Sequence, residues 1–249
     1  MKHSPCIIIL FSLLTACGNR SGANSTTITI ENVSKTEVIP VEPTPVLSPT
    51  ARKLDSMGLV NVATLDPTIA VHIVYATADN FVGEVMYDDL TEAWLLPEAA
   101  EKVVKAQQLL REKHPGYTLI IYDAARPMSV QRRMWSVAVR TGKQYYVANP
   151  ANGGGLHNYG AAVDVSILDE RGKPLPMGTE YDHLGPEANT DRESELMRTG
   201  KITQTELDNR LLLRTIMREA GFRTVTSEWW HFNHCTRAEA IAKYELIDF

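Results

Sequence analysis

The chain has 249 residues, 44% apolar and 22% charged, with 15 Gly and 13 Pro, the make-up of an ordinary globular protein. Lys and Arg total 25 against 30 Asp and Glu, and a net charge of -5 leaves no basic excess to neutralise a phosphate backbone, which excludes nucleic acid as a partner. Three cysteines, Cys6, Cys17 and Cys235, are too few and too scattered for a disulfide framework or a CxxC metal site, so any metal must be held by His and carboxylates.

Lys2 and His3 precede an apolar run from Cys6 to Leu14. Its length of about nine residues falls far short of the roughly 20 that span a bilayer, so the run reads as a signal peptide. It closes on Leu14-Thr15-Ala16-Cys17-Gly18, which resembles the bacterial lipoprotein signal. Residues 1–16 are therefore expected to be removed and Cys17 to be lipidated, giving an exported lipoprotein anchored to the membrane of a bacterial cell envelope. A plain secretory cleavage site with an incidental cysteine is the alternative. A lipidated Cys17 cannot pair with Cys235, which is then expected to be a buried thiol.

Residues 17–51 are rich in Ser, Thr, Asn and then Pro, with Pro40, Pro43, Pro45 and Pro49 too closely spaced for a central strand or helix interior. They read as a tether reaching on the order of 30 Å. The folded domain is expected at residues 52–249. Val71 to Tyr75 alternates and predicts a strand. Pro97 opens a helix with Ala100, Val103, Val104, Gln107 and Leu110 at helical spacing, ended by His114-Pro115-Gly116. Tyr117 to Tyr122 reads as a strand. Ser129 to Arg140 reads as a helix capped by the serine.

Ala161 to Ile167 alternates, with Val163, Val165 and Ile167 on one face and Ala162, Asp164 and Ser166 on the other. A further helix runs from about Gln204 to Ala220, opened by the capping box Thr203-Gln204-Thr205-Glu206 and stopped by Gly221. Thr224 to Phe232 reads as the last strand. Strands and helices do not alternate regularly, so the expected fold class is α+β: a mostly antiparallel sheet with flanking helices and a central cleft.

Two segments place ionisable groups among apolar strand residues: Gly155-Leu156-His157-Asn158-Tyr159-Gly160-Ala161-Ala162-Val163-Asp164 and Ser227-Glu228-Trp229-Trp230-His231-Phe232. A carboxylate buried mid-strand at Asp164 costs several kcal/mol unless it is paired or binds a metal. His157 can fold back to meet it across Gly160, and His231 would complete two His and one carboxylate, a catalytic zinc set with an open fourth position. Glu228 is the right type for a general base. In a regular strand Glu228 and His231, three apart, face opposite ways, so the chain must bulge or turn near Trp230 for both to reach one ion. On the residues alone, a buried His157–Asp164 pair with a packed core histidine accounts for the pattern equally well. The HExxH spacing of helical zinc proteases is absent.

His157-x6-Asp164 followed by Glu228-x2-His231, with Tyr122-Asp123-Ala124-Ala125-Arg126-Pro127 upstream, resembles the zinc D-Ala-D-Ala metallopeptidase family, most closely its dipeptidase branch. The resemblance extends to Tyr75-Ala76-Thr77-x-Asp79-Asn80-Phe81-x-Gly83, Met177-Gly178-Thr179-x-Tyr181-Asp182 and Asn209-Arg210-Leu211-Leu212-Leu213. It implies that His157, Asp164 and His231 bind one Zn2+ per chain. Glu228 would deprotonate the attacking water and then protonate the leaving amine. Arg126 would hold the substrate carbonyl, the alternative being an ion pair with Asp123. Asp182 would hold the substrate ammonium, the alternative being a surface carboxylate. Tyr75, Asp79 and Phe81 would shape or support the cleft. The implied substrate is D-Ala-D-Ala or a related peptidoglycan-derived peptide, with D,D-carboxypeptidase or L,D-peptidase action on stem peptides as the rival activity. Many dipeptidases of this branch have serine two places before the first histidine, where the substrate's N-terminal end is held. This chain has Gly155 there.

Overall fold

The computed structural model describes residues 46–249. The expected signal segment, Cys17 and the tether as far as residue 45 lie outside the described residues. Helix α1 (Pro49–Ser56) begins just ahead of Arg52, with the Ser48 hydroxyl accepting from the Ala51 amide and the Asp89 carboxylate from the Thr50 amide. The chain then forms β1 (Val60–Asn61), α2 (Val62–Leu65) and β2 (Ala70–Val71). The strand predicted over Val71 to Tyr75 stops at Val71, and Val74–Ala76 turns into a 3-10 helix. Val74 and Tyr75 are consecutive and both buried, which strand alternation does not allow when one face is exposed.

Next come β3 (Trp94–Leu95), paired antiparallel with β1, and α3 (Pro97–Lys113), which matches its sequence signals at both ends. Its inner face is Ala99, Ala100, Val103, Ala106, Gln107 and Leu110. Gln107 is fully buried because it completes the entry of the following strand: its Oε1 accepts from the Leu119 amide at 2.6 Å and its Nε2 donates to the Tyr117 carbonyl at 3.2 Å. Strand β4 (Thr118–Asp123) leads to α4 (Met128–Thr141). Ser129 does not cap this helix. The N-cap is Pro127, and the first-turn amides of Met128 and Ser129 donate to the carbonyls of Ile247 and Phe249. The C-terminal chain supplies the acceptors that the serine was expected to provide.

Strand β5 (Ala162–Leu168) is buried on both faces. Helices α5 (Glu193–Arg198) and α6 (Gln204–Glu219) follow, the latter with the expected capping box and a stop at Gly221, whose φ is 100°. The predicted strand from Thr224 to Phe232 is instead two short ones, β6 (Arg223–Thr224) and β7 (His231–Asn233), paired antiparallel across a loop, before α7 (Arg237–Lys243). The sheet order is β2-β4-β5-β7-β6, and β2 with β4 is its one parallel pair. The fold is therefore the α+β class read from the sequence. Helices α3 and α6 pack together, and α3 also packs on β4.

Candidate metal centre and its cleft

Register across the sheet sets the site. A shift between Ile121 and Asp123 in β4 pairs Asp123 with Asp164 in β5, and Asp164 in turn pairs with His231 in β7. Side chains at paired positions share a face, so Asp123, Asp164 and His231 form one row. His157 reaches that row from the 3-10 turn Leu156–Tyr159, which Gly160 closes at φ 65°. A side chain at Gly160 would meet Leu59 at 2.8 Å. The bend that brings His157 back over β5 thus needs glycine for both its conformation and its space.

His157 Nε2 lies 3.3 Å from Asp164 Oδ1, His231 Nδ1 lies 3.0 Å from the same oxygen, and the two nitrogens are 3.1 Å apart. The other nitrogen of each ring is committed as a donor: His157 Nδ1 to the Ala124 carbonyl at 2.7 Å and His231 Nε2 to Asn233 Oδ1 at 2.8 Å. Both rings therefore turn a lone pair, not a proton, toward the Asp164 oxygen. Three lone pairs facing one point repel unless a cation sits among them. A tetrahedral zinc with bonds of about 2.0–2.1 Å sets its ligand atoms about 3.3 Å apart, so the donor set fits that ion in chemistry and spacing. Tyr181 donates to the remaining Asp164 oxygen at 3.1 Å, leaving one carboxylate oxygen for the metal.

The loop between β6 and β7 removes the geometric objection to Glu228. Residues between Thr224 and His231 do not run as a strand, so alternation does not apply to them, and the loop is pinned by Val165 N to Trp230 O at 3.0 Å and Thr190 N to Thr226 O at 2.8 Å. Glu228 lines the same cavity as the three donors. Burial raises its pKa to about 7, with His231 opposing and Asp164 adding to the rise.

Arg126 also lines the cavity, and it makes the ion pair that was its alternative reading: Nε and Nη2 donate to Asp123 Oδ2 at 2.9 and 2.5 Å. The pair orients the guanidinium instead of removing it from the cleft, aided by Nη1 to Gln131 Oε1 at 3.0 Å and by the Tyr75 ring, 5.3 Å from Cζ. Asp182 is not a surface carboxylate. It accepts from Tyr75 Oη at 2.7 Å and from the Phe81 amide at 2.8 Å, and burial raises its pKa to about 6. Tyr75 and Phe81 line the cleft as expected, whereas Asp79 is exposed and outside it. Trp230 lines it as well, and Trp229 is buried with Nε1 donating to Thr179 Oγ1. Cys235 is free and only partly buried.

Four side chains escaped the sequence reading: Tyr181, Asn233, Gln131 and Arg237. Asn233 was recoverable, being two residues along from His231 and hence on its face of β7. Tyr181 stood inside a quoted motif without a role. Gln131, five residues after Arg126, and Arg237, shortly after His231, sit in the first turns of helices, and no local pattern marks them.

A buried His, Asp, His donor set in a cavity of about 270 Å3, with a carboxylic acid beside it, is the arrangement of a mononuclear metallohydrolase. Residues 55–246 match the model of the M15 peptidase family, described as D-ala-D-ala dipeptidase, and the chain belongs to that family. It is 32% identical over 178 residues to the D-alanyl-D-alanine dipeptidase of Escherichia coli K12, covering 72% of this chain and 85% of that one. It is 29% identical to the proteins of the same name from Synechocystis, over 168 residues (53% and 66% of the two chains), and Enterococcus faecium, over 178 residues (64% and 82%).

Proposed function

We propose that the protein is a zinc-dependent dipeptidase that hydrolyses D-Ala-D-Ala or a related cell-wall dipeptide. The observation that carries this reading is the convergence of His157 Nε2, Asp164 Oδ1 and His231 Nδ1, each about 3 Å from the others, in a cleft shared with Glu228, Arg126 and Asp182. Zinc held by those three atoms supplies a Lewis acid that polarises the substrate carbonyl and acidifies water. Glu228, whose raised pKa suits both proton uptake and delivery near neutrality, takes the proton from the attacking water and passes it to the departing amine. Arg126, fixed by Asp123 and Gln131, donates to the carbonyl oxygen as negative charge grows on it, at no cost of reorganisation. Asp182 receives the substrate ammonium. A group that needs a free ammonium beside the reacting carbonyl favours dipeptides over stem peptides, whose corresponding nitrogen is acylated and neutral.

The test is amine release from D-Ala-D-Ala, L-Ala-L-Ala and a pentapeptide stem. Cleavage of D-Ala-D-Ala alone is expected. Comparable cleavage of the stem would replace this reading with the D,D-carboxypeptidase one, which the hydroxyl-free Gly155 loop makes the specific rival.

We also propose export and lipidation at Cys17, supported by the Leu14-Thr15-Ala16-Cys17 pattern closing the apolar run. No helix among the described residues is long and apolar enough to cross a membrane. The protein is expected in the membrane fraction and Cys17→Ala in the soluble one; a soluble wild type would refute the anchor.

A further inference from the structure

Two arginines line the cleft, and their surroundings differ. The charge of Arg126 is already matched by Asp123. Arg237, the first residue of α7, donates from its two terminal nitrogens to the carbonyl oxygens of Gly154 and Asn152 and makes no ion pair with any described carboxylate. Arg111, Arg132, Arg133, Arg192 and Arg214 each do. Carbonyl oxygens orient a guanidinium without neutralising it. Of its five N–H groups, those not spent on the carbonyls remain for an acceptor in the cleft.

The carbonyls that hold Arg237 are themselves held. Gly153 and Gly154 have φ of 81° and 66°, and a side chain at Gly154 would meet Asn158 and Met128 at under 3 Å, so the loop takes a turn that needs glycine and packs directly on its neighbours. The cation is thereby preorganised. On a different segment of the lining, Asp182 is anchored by Tyr75 and the Phe81 amide. The cavity thus offers a fixed carboxylate on one segment and an unneutralised guanidinium on a different one, with the metal donors lining the space they share.

We propose, resting on the dipeptidase reading above, that Arg237 is the subsite for the free α-carboxylate of the peptide. It sets the direction in which the peptide lies: ammonium at Asp182, carboxylate at Arg237. This reverses what the family resemblance implies for the loop before His157. The residue said to hold the N-terminal end is here Gly155, with no hydroxyl to offer, and Arg237 bonds the carbonyl of the residue before it. A guanidinium at that place repels an ammonium and attracts a carboxylate.

The experiment compares D-Ala-D-Ala with its C-terminal amide on the zinc-loaded protein and on Arg237→Gln and Arg237→Lys. Arg237→Gln is expected to raise KM for the acid by about 10–100-fold more than for the amide, the worth of a charge-assisted hydrogen bond, with kcat little changed. Arg237→Lys, which keeps the charge, retains part of the preference for the acid. Equal losses on acid and amide would overturn the proposal and leave Arg237 as a clamp on the Asn152–Gly154 loop. Calorimetric binding of both compounds to Glu228→Gln, with and without Arg237→Gln, separates the inference from the dipeptidase reading. Tighter binding of the acid that depends on Arg237 supports the subsite even if turnover is absent. Equal affinity, or binding of neither, overturns it.

Discussion

Asp182 has φ 66°, the one positive value outside glycine among the described residues, and a carboxyl whose pKa is raised by burial from 3.8 to about 6. Left-handed backbone costs a side-chain-bearing residue on the order of 1–2 kcal/mol, and here the bonds from Tyr75 and the Phe81 amide hold it in place. The raised pKa has a sign. Below about pH 3 the group is protonated folded and unfolded, and its contribution to stability is fully present. As pH rises through about 6 the unfolded chain has already released the proton that the folded one still holds, and that contribution is lost. Asp182→Asn does not titrate. The stability of metal-free wild type relative to this variant should therefore fall by up to about 3 kcal/mol between about pH 3 and 7 and level off above that, as read by urea unfolding. A difference that stays flat over that window would contradict the buried, raised carboxyl. Sequence gave the identity of this residue through a motif, but its burial depends on Tyr75 and Phe81, about a hundred positions away, and no local pattern carries that. The three metal donors were legible in two stages: Asp164 and His231, polar residues in an apolar strand context, asked for a partner, but a buried pair with a packed histidine answered equally well until the family motif, His157 included, was added.

At the scale of elements, helices were read well where a terminus had its own chemistry. Pro97 and His114-Pro115-Gly116 bracket α3, and Thr203 with Glu206 opens α6. Where the capping group came from elsewhere the cap alone was misread, as with α4, whose extent was read to within a residue at each end but whose first amides turn to the carbonyls of Ile247 and Phe249. The split of the last strand into β6 and β7 was hidden because its loop, ending in Trp229 and Trp230, is as apolar as a strand. That loop nevertheless decides the site, since it frees Glu228 from the alternation that would have turned it away. Gln107 shows an element boundary resting on one buried polar side chain. Gln107→Leu keeps the volume but leaves the Leu119 amide and Tyr117 carbonyl without their partner, and should cost about 1–3 kcal/mol in denaturant unfolding. A neutral result would mean that β4 is set by its ladder with β5 alone.

For the molecule as a whole, the sheet converts sequence-distant residues into a single row. Asp123, Asp164 and His231 come from three adjacent strands, Arg126 hangs from the first of them through Asp123, and His157 is turned in from the loop that precedes the second. Helix α6 serves the same site from further away. Asn209 and the buried Arg210 bond the carbonyls of Pro176, Met177 and Glu187, fixing the segment that bears Asp182. The Asn209-Arg210 motif is thus structural support for the cleft, a role that its position on a helix far from the donors concealed.

The central claim is that one zinc at His157, Asp164 and His231 makes this cleft a dipeptidase, with Glu228 moving the proton. The most direct measurement titrates zinc into chelated protein while D-alanine release from D-Ala-D-Ala is followed, with Glu228→Gln alongside. Turnover should rise from nothing to a plateau at one equivalent per chain, and Glu228→Gln should bind the same equivalent while turning over about 100–10,000-fold more slowly. Turnover without zinc, or a Glu228→Gln protein as fast as wild type, would contradict the account.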